Sequence, residues 1–114
     1  GPIVGTPRFL HEATEIGGQP LEKDSLVLAV VAAANRDPAH FDDPDRFDIG
    51  RAPNRHLAFG GGIHVCLGSH LARLEGRAAF LKLFQRFPDL QLETHHIRWG
   101  QSLFRIPAEL WVKP

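Results

Sequence analysis

The stretch Phe59-Gly60-Gly61-Gly62-Ile63-His64-Val65-Cys66-Leu67-Gly68 constrains this chain more than any other. It holds the only cysteine of the 114 residues, and three glycines lead up to it. From Leu67 to Phe87 the pattern reads as one long amphipathic helix. Leu67, Leu71, Leu74, Ala78 and Leu81 alternate in steps of four and three and share an apolar face. Ala72, Ala79, Phe80, Leu83 and Phe87 widen it, which predicts burial on much of the circumference. Pro88 ends the helix, having no N–H to donate. A thiol at the mouth of such a helix lies near unpaired backbone N–H groups and the positive end of the helix dipole. Both favour the thiolate, the form that attacks electrophiles and binds metals. The glycines lack Cβ and let backbone pass close to something flat or bulky. A nucleophile, a redox centre and a metal ligand all fit that description.

Composition narrows the classes. Lysine plus arginine equal aspartate plus glutamate at 13 each, so no global field attracts nucleic acid or an anionic membrane. One cysteine excludes an internal disulfide and fits a reducing, cytoplasmic compartment. The longest apolar run, Leu26 to Ala34, is nine residues, against the roughly 20 a membrane helix needs. No signal peptide is visible at the start. The length suits one small domain with a modest core. There is no methionine, and Gly1-Pro2 reads as a cut end or a cloning remnant, so the chain is expected to be a fragment.

Before the cysteine stretch, Ile3 to Phe9 is strand-like but broken by Gly5 and Pro7. Arg8 to Leu21 reads as a hairpin turning at Gly17-Gly18. Leu26 to Ala34 is too short for periodicity to decide, and its alanines favour a short helix ending near Asn35. Arg36 to Pro53 reads as ordered coil, with Phe41 and Phe47 buried. Beyond the long helix, Leu90–Leu92, Ile97–Trp99, Leu103–Ile106 and Leu110–Val112 suit hairpins.

Phe59-Gly60-x-Gly62-x-His64-x-Cys66-x-Gly68, followed by Leu71-Ala72-Arg73 and Glu75, resembles the haem-binding signature of the cytochrome P-450 family, most closely its soluble bacterial members. Ala33-Ala34-Asn35-Arg36-Asp37-Pro38, Phe41 to Asp48 and His56-Leu57-Ala58 extend the resemblance upstream. It implies an α+β piece of a mainly α fold. That piece, the whole of residues 1–114, is a C-terminal, partial domain of short β-hairpins, ordered coil, cysteine loop, one long helix and terminal hairpins.

By the same resemblance Cys66 is the axial thiolate of a haem b iron, where thiolate donation favours O–O cleavage. His64 and Arg8 pair with the haem propionates. Phe59 packs beside the sulfur and limits water, while Gly60, Gly62, Gly68 and Ala72 border the haem. Backbone N–H groups beyond Cys66 tune the sulfur by hydrogen bonding. Ile3, Val4, Gly5 and Thr6 line the substrate pocket. Its far wall falls at Gln101 to Phe104, with Ser102 and Leu103 facing the substrate. His70 and Arg73 lie on the face where an electron donor docks.

The implied reaction is monooxygenation of a small apolar molecule by O₂. Electrons come from NAD(P)H through a ferredoxin or flavodoxin-like partner. A haem enzyme of this fold that does not use O₂, a peroxygenase or isomerase, stays open, as does an inactive truncated chain. The family's Glu-x-x-Arg helix and its oxygen-activating helix have no counterpart in the sequence, so the isolated chain is expected to be inactive. His56 or Arg51 resembles the third member of the Glu-x-x-Arg network.

Other readings compete. A buried inert thiol is the ordinary fate of a single cysteine. His64, Cys66 and His70 suggest a zinc site, but a fourth ligand is wanting and the glycines go unexplained. The three glycines do not match a nucleotide-binding spacing, and Ser69-His70 lacks a nucleophile elbow. Arg73, Arg77, Lys82 and Arg86 read as a solvated face, and His95-His96 as surface.

Overall fold

Gly17 and Gly18 take φ of +59° and +80°. These are the left-handed values that let a two-residue turn match the twist of its strands. In the computed structural model, which describes residues 1–93, 96–100 and 102–114, they join β2 (Thr14–Ile16) to β3 (Gln19–Leu21). The hairpin is therefore shorter than the Arg8–Leu21 expectation. Arg8 instead belongs to β1 (Thr6–Phe9), which pairs antiparallel with β4 (Leu26–Ala29), Arg8 opposite Val27. The Leu10 N–H donates to the Ser25 carbonyl at 3.1 Å and the Asp24 N–H to the Leu10 carbonyl at 2.8 Å. One hairpin is nested inside another.

β4 settles the stretch Leu26–Ala34, which periodicity left open: its first four residues are strand. Only Val31–Ala34 is helical (α1), and it stops at Asn35 as expected. The cause lies in a partner distant in sequence: β1 offers unpaired backbone to Leu26–Ala29, and a strand ladder outweighs a weak helix preference. Gly5, buried at the start of this pairing, permits the approach. A Cβ there would lie 2.9 Å from the Ala29 carbonyl oxygen.

The coil at 36–53 is ordered by side chains acting on backbone. The Asp37 carboxylate accepts the Ala39 N–H at 2.9 Å, and the Asp48 carboxylate accepts that of Gly50 at 2.9 Å. The Arg51 guanidinium donates to the carbonyls of Asp42, Asp43 and Arg46 at 2.5, 3.1 and 3.2 Å. Arg36 and Asp45 form an exposed ion pair, an interaction of small net worth. Phe41, 8% exposed, is the only buried apolar side chain among the described residues. Phe47 is 91% exposed, against the expectation that both rings are buried. A coil this short closes around one ring.

These elements make one unit, Gly1–Ala58, and Phe59–Pro114 makes a second. The second is dominated by α2 (Ser69–Arg86). It begins two residues after the expected Leu67, with Gly68 as its N-cap and no described side chain capping it. At the other end the Phe87 N–H donates to the Leu83 carbonyl at 2.8 Å before Pro88, and Arg86 sits favourably at the negative end of the dipole. Phe80 and Phe84, one turn apart, stack with centroids 6.5 Å apart. The expectation of an amphipathic, largely buried helix fails here. Leu71, Leu74, Phe80, Leu81, Leu83 and Phe84 are all exposed, and Ser69 is the one buried residue of α2. Apolar residues fall on every side of the helix, so no single face collects them.

After α2, β5 (Gln91–Leu92) pairs antiparallel with β6 (Val112–Lys113), and Trp99 bridges Pro107 between them. Of the expected terminal hairpin segments, Leu90–Leu92 and Leu110–Val112 each supply part of a paired strand, Ile97–Trp99 supplies one bridge, and Leu103–Ile106 forms no strand. The readings of His95 as surface and of Gln101 as the start of a turn lie outside the described residues. Among the described residues no helix is long and apolar enough to cross a membrane.

Candidate functional site

The loop leading to Cys66 is a short 3₁₀ turn, Gly62–His64, between two fixed ends. At one end the Cys66 N–H donates to the Phe59 carbonyl at 2.7 Å; at the other the Cys66 carbonyl accepts the Ser69 N–H at 3.1 Å, where α2 begins. The cysteine is thus clamped through its own backbone on both sides. Closing so tight a loop needs left-handed backbone at Gly60 and Gly62, with φ of +72° and +56°. At Gly60 the demand is doubled, because a Cβ would lie 2.6 Å from the His64 carbonyl oxygen.

The loop turns apolar groups outward. Ile63 is 95% and Leu67 100% exposed, and the Cys66 thiol between them is exposed too. The reading of Cys66 as a buried inert thiol is therefore wrong. Gly68 has an ordinary φ of −83°, and a Cβ there would meet nothing within 4 Å. Glycine is an ordinary N-cap, and the open space beside it leaves room for a flat group seated against the loop. An exposed thiol, an apolar rim and a vacant Cβ position suit a haem whose iron takes the sulfur.

Structure brings Phe59, Gly60, Gly62, His64, Cys66 and Gly68 together in this one loop, with Ala72, His70 and Arg73 on the first turns of α2. His64 is exposed, as are Ala72, His70 and Arg73. The Arg73 guanidinium carbon lies 4.7 Å from the centroid of the Phe59 ring, a contact the sequence reading missed. Side chains on a helix lean toward its N-terminus, and that rule was the available signal.

Arg8 belongs to the first unit, where its guanidinium donates to the Pro7 carbonyl at 2.8 Å. In the same unit Ile3, Val4 and Thr6 are half-buried, Gly5 is buried, and the Val4 carbonyl accepts the Ala32 N–H at 2.9 Å. Ser102, in the second unit, both donates to the Phe104 carbonyl (2.9 Å) and accepts the Phe104 N–H (3.0 Å) through its hydroxyl. Leu103 beside it is exposed. Of the two residues resembling a network member, His56 accepts the Ala58 N–H on Nδ1 at 3.2 Å, and Arg51 holds the three carbonyls named above. Among the described residues no group of three or more His, Cys, Asp or Glu side chains converges as metal ligands, which removes the support for the zinc reading.

The Cytochrome P450 family model matches residues 1–97. The chain is 49% identical over 104 residues to the 6-deoxyerythronolide B hydroxylase of Saccharopolyspora erythraea, covering 90% of this chain and 26% of that protein. It is 46% identical over 113 residues to the mycinamicin IV hydroxylase/epoxidase of Micromonospora griseorubida, covering 94% and 28%. Among solved structures, P450BioI in complex with an acyl carrier protein ligated to hexadec-9Z-enoic acid superposes with a TM-score of 0.91 at 46% identity, covering 97% of this chain and 29% of that one. The chain thus spans little more than a quarter of the length of these relatives. Its few strands and one long helix form a portion of their fold, consistent with a C-terminal one. On the family match and these identities together, the chain belongs to the cytochrome P450 family.

Proposed function

We propose that Cys66 is the axial thiolate of a haem b iron and that the chain serves a monooxygenase acting on a small apolar substrate. The observation that carries this is the exposed Cys66, clamped through its backbone at the uncapped start of α2 on a loop that leaves open space at Gly62 and Gly68. The printed names of two relatives, a hydroxylase and a hydroxylase/epoxidase, support the reaction class. Bound here, the haem supplies the activation of O₂.

The chain's own residues do the rest. Cys66 presents its sulfur as a donor, and the Phe59 and Ser69 bonds fix where that sulfur lies. Ile63 and Leu67 give an apolar seat that excludes water from the sulfur. His64 and Arg8 bind the propionates by charge-assisted hydrogen bonds, each worth about 1.5–3 kcal/mol. Ile3, Val4, Gly5 and Thr6, with Ser102 and Leu103, border the substrate. His70 and Arg73 face a ferredoxin or flavodoxin-like donor that relays electrons from NAD(P)H in the cytoplasm. Residues 1–114 act as part of one haem domain.

The test is the absorption spectrum of the reduced, CO-treated protein. A thiolate ligand gives a strongly red-shifted Soret band, and Cys66→Ser abolishes it because the hydroxyl stays protonated. An unchanged band in Cys66→Ser overturns the assignment.

A further inference from the structure

We propose that Arg73 is a positioning residue for Cys66, acting through the ring of Phe59. The contacts form a closed circuit. The Phe59 carbonyl accepts the Cys66 N–H at 2.7 Å, so wherever Phe59 goes the cysteine backbone follows. The Phe59 ring lies under the Arg73 guanidinium at 4.7 Å. Arg73 stands on α2, whose first N–H, that of Ser69, is bonded to the Cys66 carbonyl at 3.1 Å. Cys66 is therefore tied to Phe59 on one side and to α2 on the other, and Arg73 joins those two anchors directly. Gly60, which follows Phe59, has no side chain to wedge the loop in place, and neither do Gly61 and Gly62. The ring of Phe59 is the first large group on that arm of the loop, and a cation over its face is what α2 offers it.

The planar guanidinium suits this role better than an ammonium, because it stacks and is less strongly hydrated. An exposed cation–π contact is worth about 0.5–1 kcal/mol, so losing it raises the opening of the loop about two- to five-fold. The consequence is for the sulfur. A loosened Phe59 lets the Cys66 N–H leave its carbonyl and lets water reach the thiolate. This consequence rests on the reading of Cys66 as the iron ligand, whereas the positioning itself does not.

Two measurements on the haem protein test the proposal. One is hydrogen exchange, by mass spectrometry, in peptides spanning the loop from Phe59 to Leu67. The other is the rate at which mild urea converts the red-shifted CO band to an unshifted one. Arg73→Ala is expected to speed both about two- to five-fold. Arg73→Lys is expected to restore part of the effect, and Arg73→Gln none. In a Phe59→Leu background, Arg73→Ala should add nothing, since the partner ring is gone. The midpoint reduction potential should follow the same pattern, shifting on Arg73→Ala only when Phe59 is present. Equal effects of Arg73→Ala in both backgrounds overturn the proposal, because Arg73 then acts as a charge and not through the ring. Unchanged exchange overturns it as well. If Arg73→Ala fails to hold haem, the Lys and Gln variants decide by the same comparison. Failure of the haem-thiolate reading looks different: the red-shifted band is then missing with Arg73 intact.

Discussion

Two irregular stretches, the coil at 36–53 and the loop at 59–68, lack ladders of their own and are held by opposite means. The coil is satisfied from within. Phe41 fills its middle, Arg51 gathers three of its carbonyls, and Asp37 and Asp48 cap its turns. The cysteine loop is tied at its ends, at Phe59 and Ser69, with one 3₁₀ turn between them, and turns Ile63, Cys66 and Leu67 outward. A buried ring and saturated carbonyls are what a segment needs to be stable alone. An exposed thiol with an apolar rim is what a segment needs to receive something else. Irregular backbone therefore serves two purposes in this chain, and side-chain placement tells them apart.

Substitutions can break or sharpen that contrast, each read as a urea midpoint and as haem retention in the haem protein. Phe41→Ala should have the largest effect on stability, about 3–5 kcal/mol, since it empties the one enclosed position of the coil. Gly60→Ala comes next, at about 2–3 kcal/mol, from a left-handed backbone and a clash with the His64 carbonyl. Unlike Phe41→Ala, it should also release haem beyond what the stability loss explains. Arg51→Gln should cost about 2 kcal/mol by freeing the carbonyls of Asp42, Asp43 and Arg46, with the CO band unmoved. The smallest stability effect, within about 0.5 kcal/mol, is expected for Gly68→Ala, where the chain leaves open space. Its haem retention should nonetheless fall. Full retention in Gly68→Ala would mean that the vacant position beside Cys66 is not where a ligand sits.

How much of this was legible follows from how local each feature is. The turn at Gly17-Gly18, the stop at Asn35, the stop at Pro88 and the loop glycines are written in neighbouring residues, and they stand where the sequence puts them. β4 was not legible, because Leu26–Ala29 becomes a strand only through β1, a partner across the nested hairpin. Phe47 looked buried for the same reason as Phe41, and nothing local separates the ring that is enclosed from the one that is not. The contact of Arg73 with Phe59 joins residues on different elements, so periodicity is blind to it. α2 was legible as a helix and not in its surroundings. Ala72, Ala79, Phe80, Leu83 and Phe87 already widened the apolar stripe on paper, but apolar residues around a helix do not say what covers them, and in this chain they are exposed.

The three glycines ahead of Ile63 look interchangeable on paper and are not. Gly60 and Gly62 hold left-handed backbone, but Gly61 between them is extended, with φ of −160°, a conformation any residue adopts. A library that randomises all three codons should return glycine at the outer two and a spread of residues at the centre. Position 61 is thus the natural point of variation in this loop. A chemist who wants to install a new group a few residues from the sulfur has, among these three glycines, one whose backbone conformation any residue can adopt.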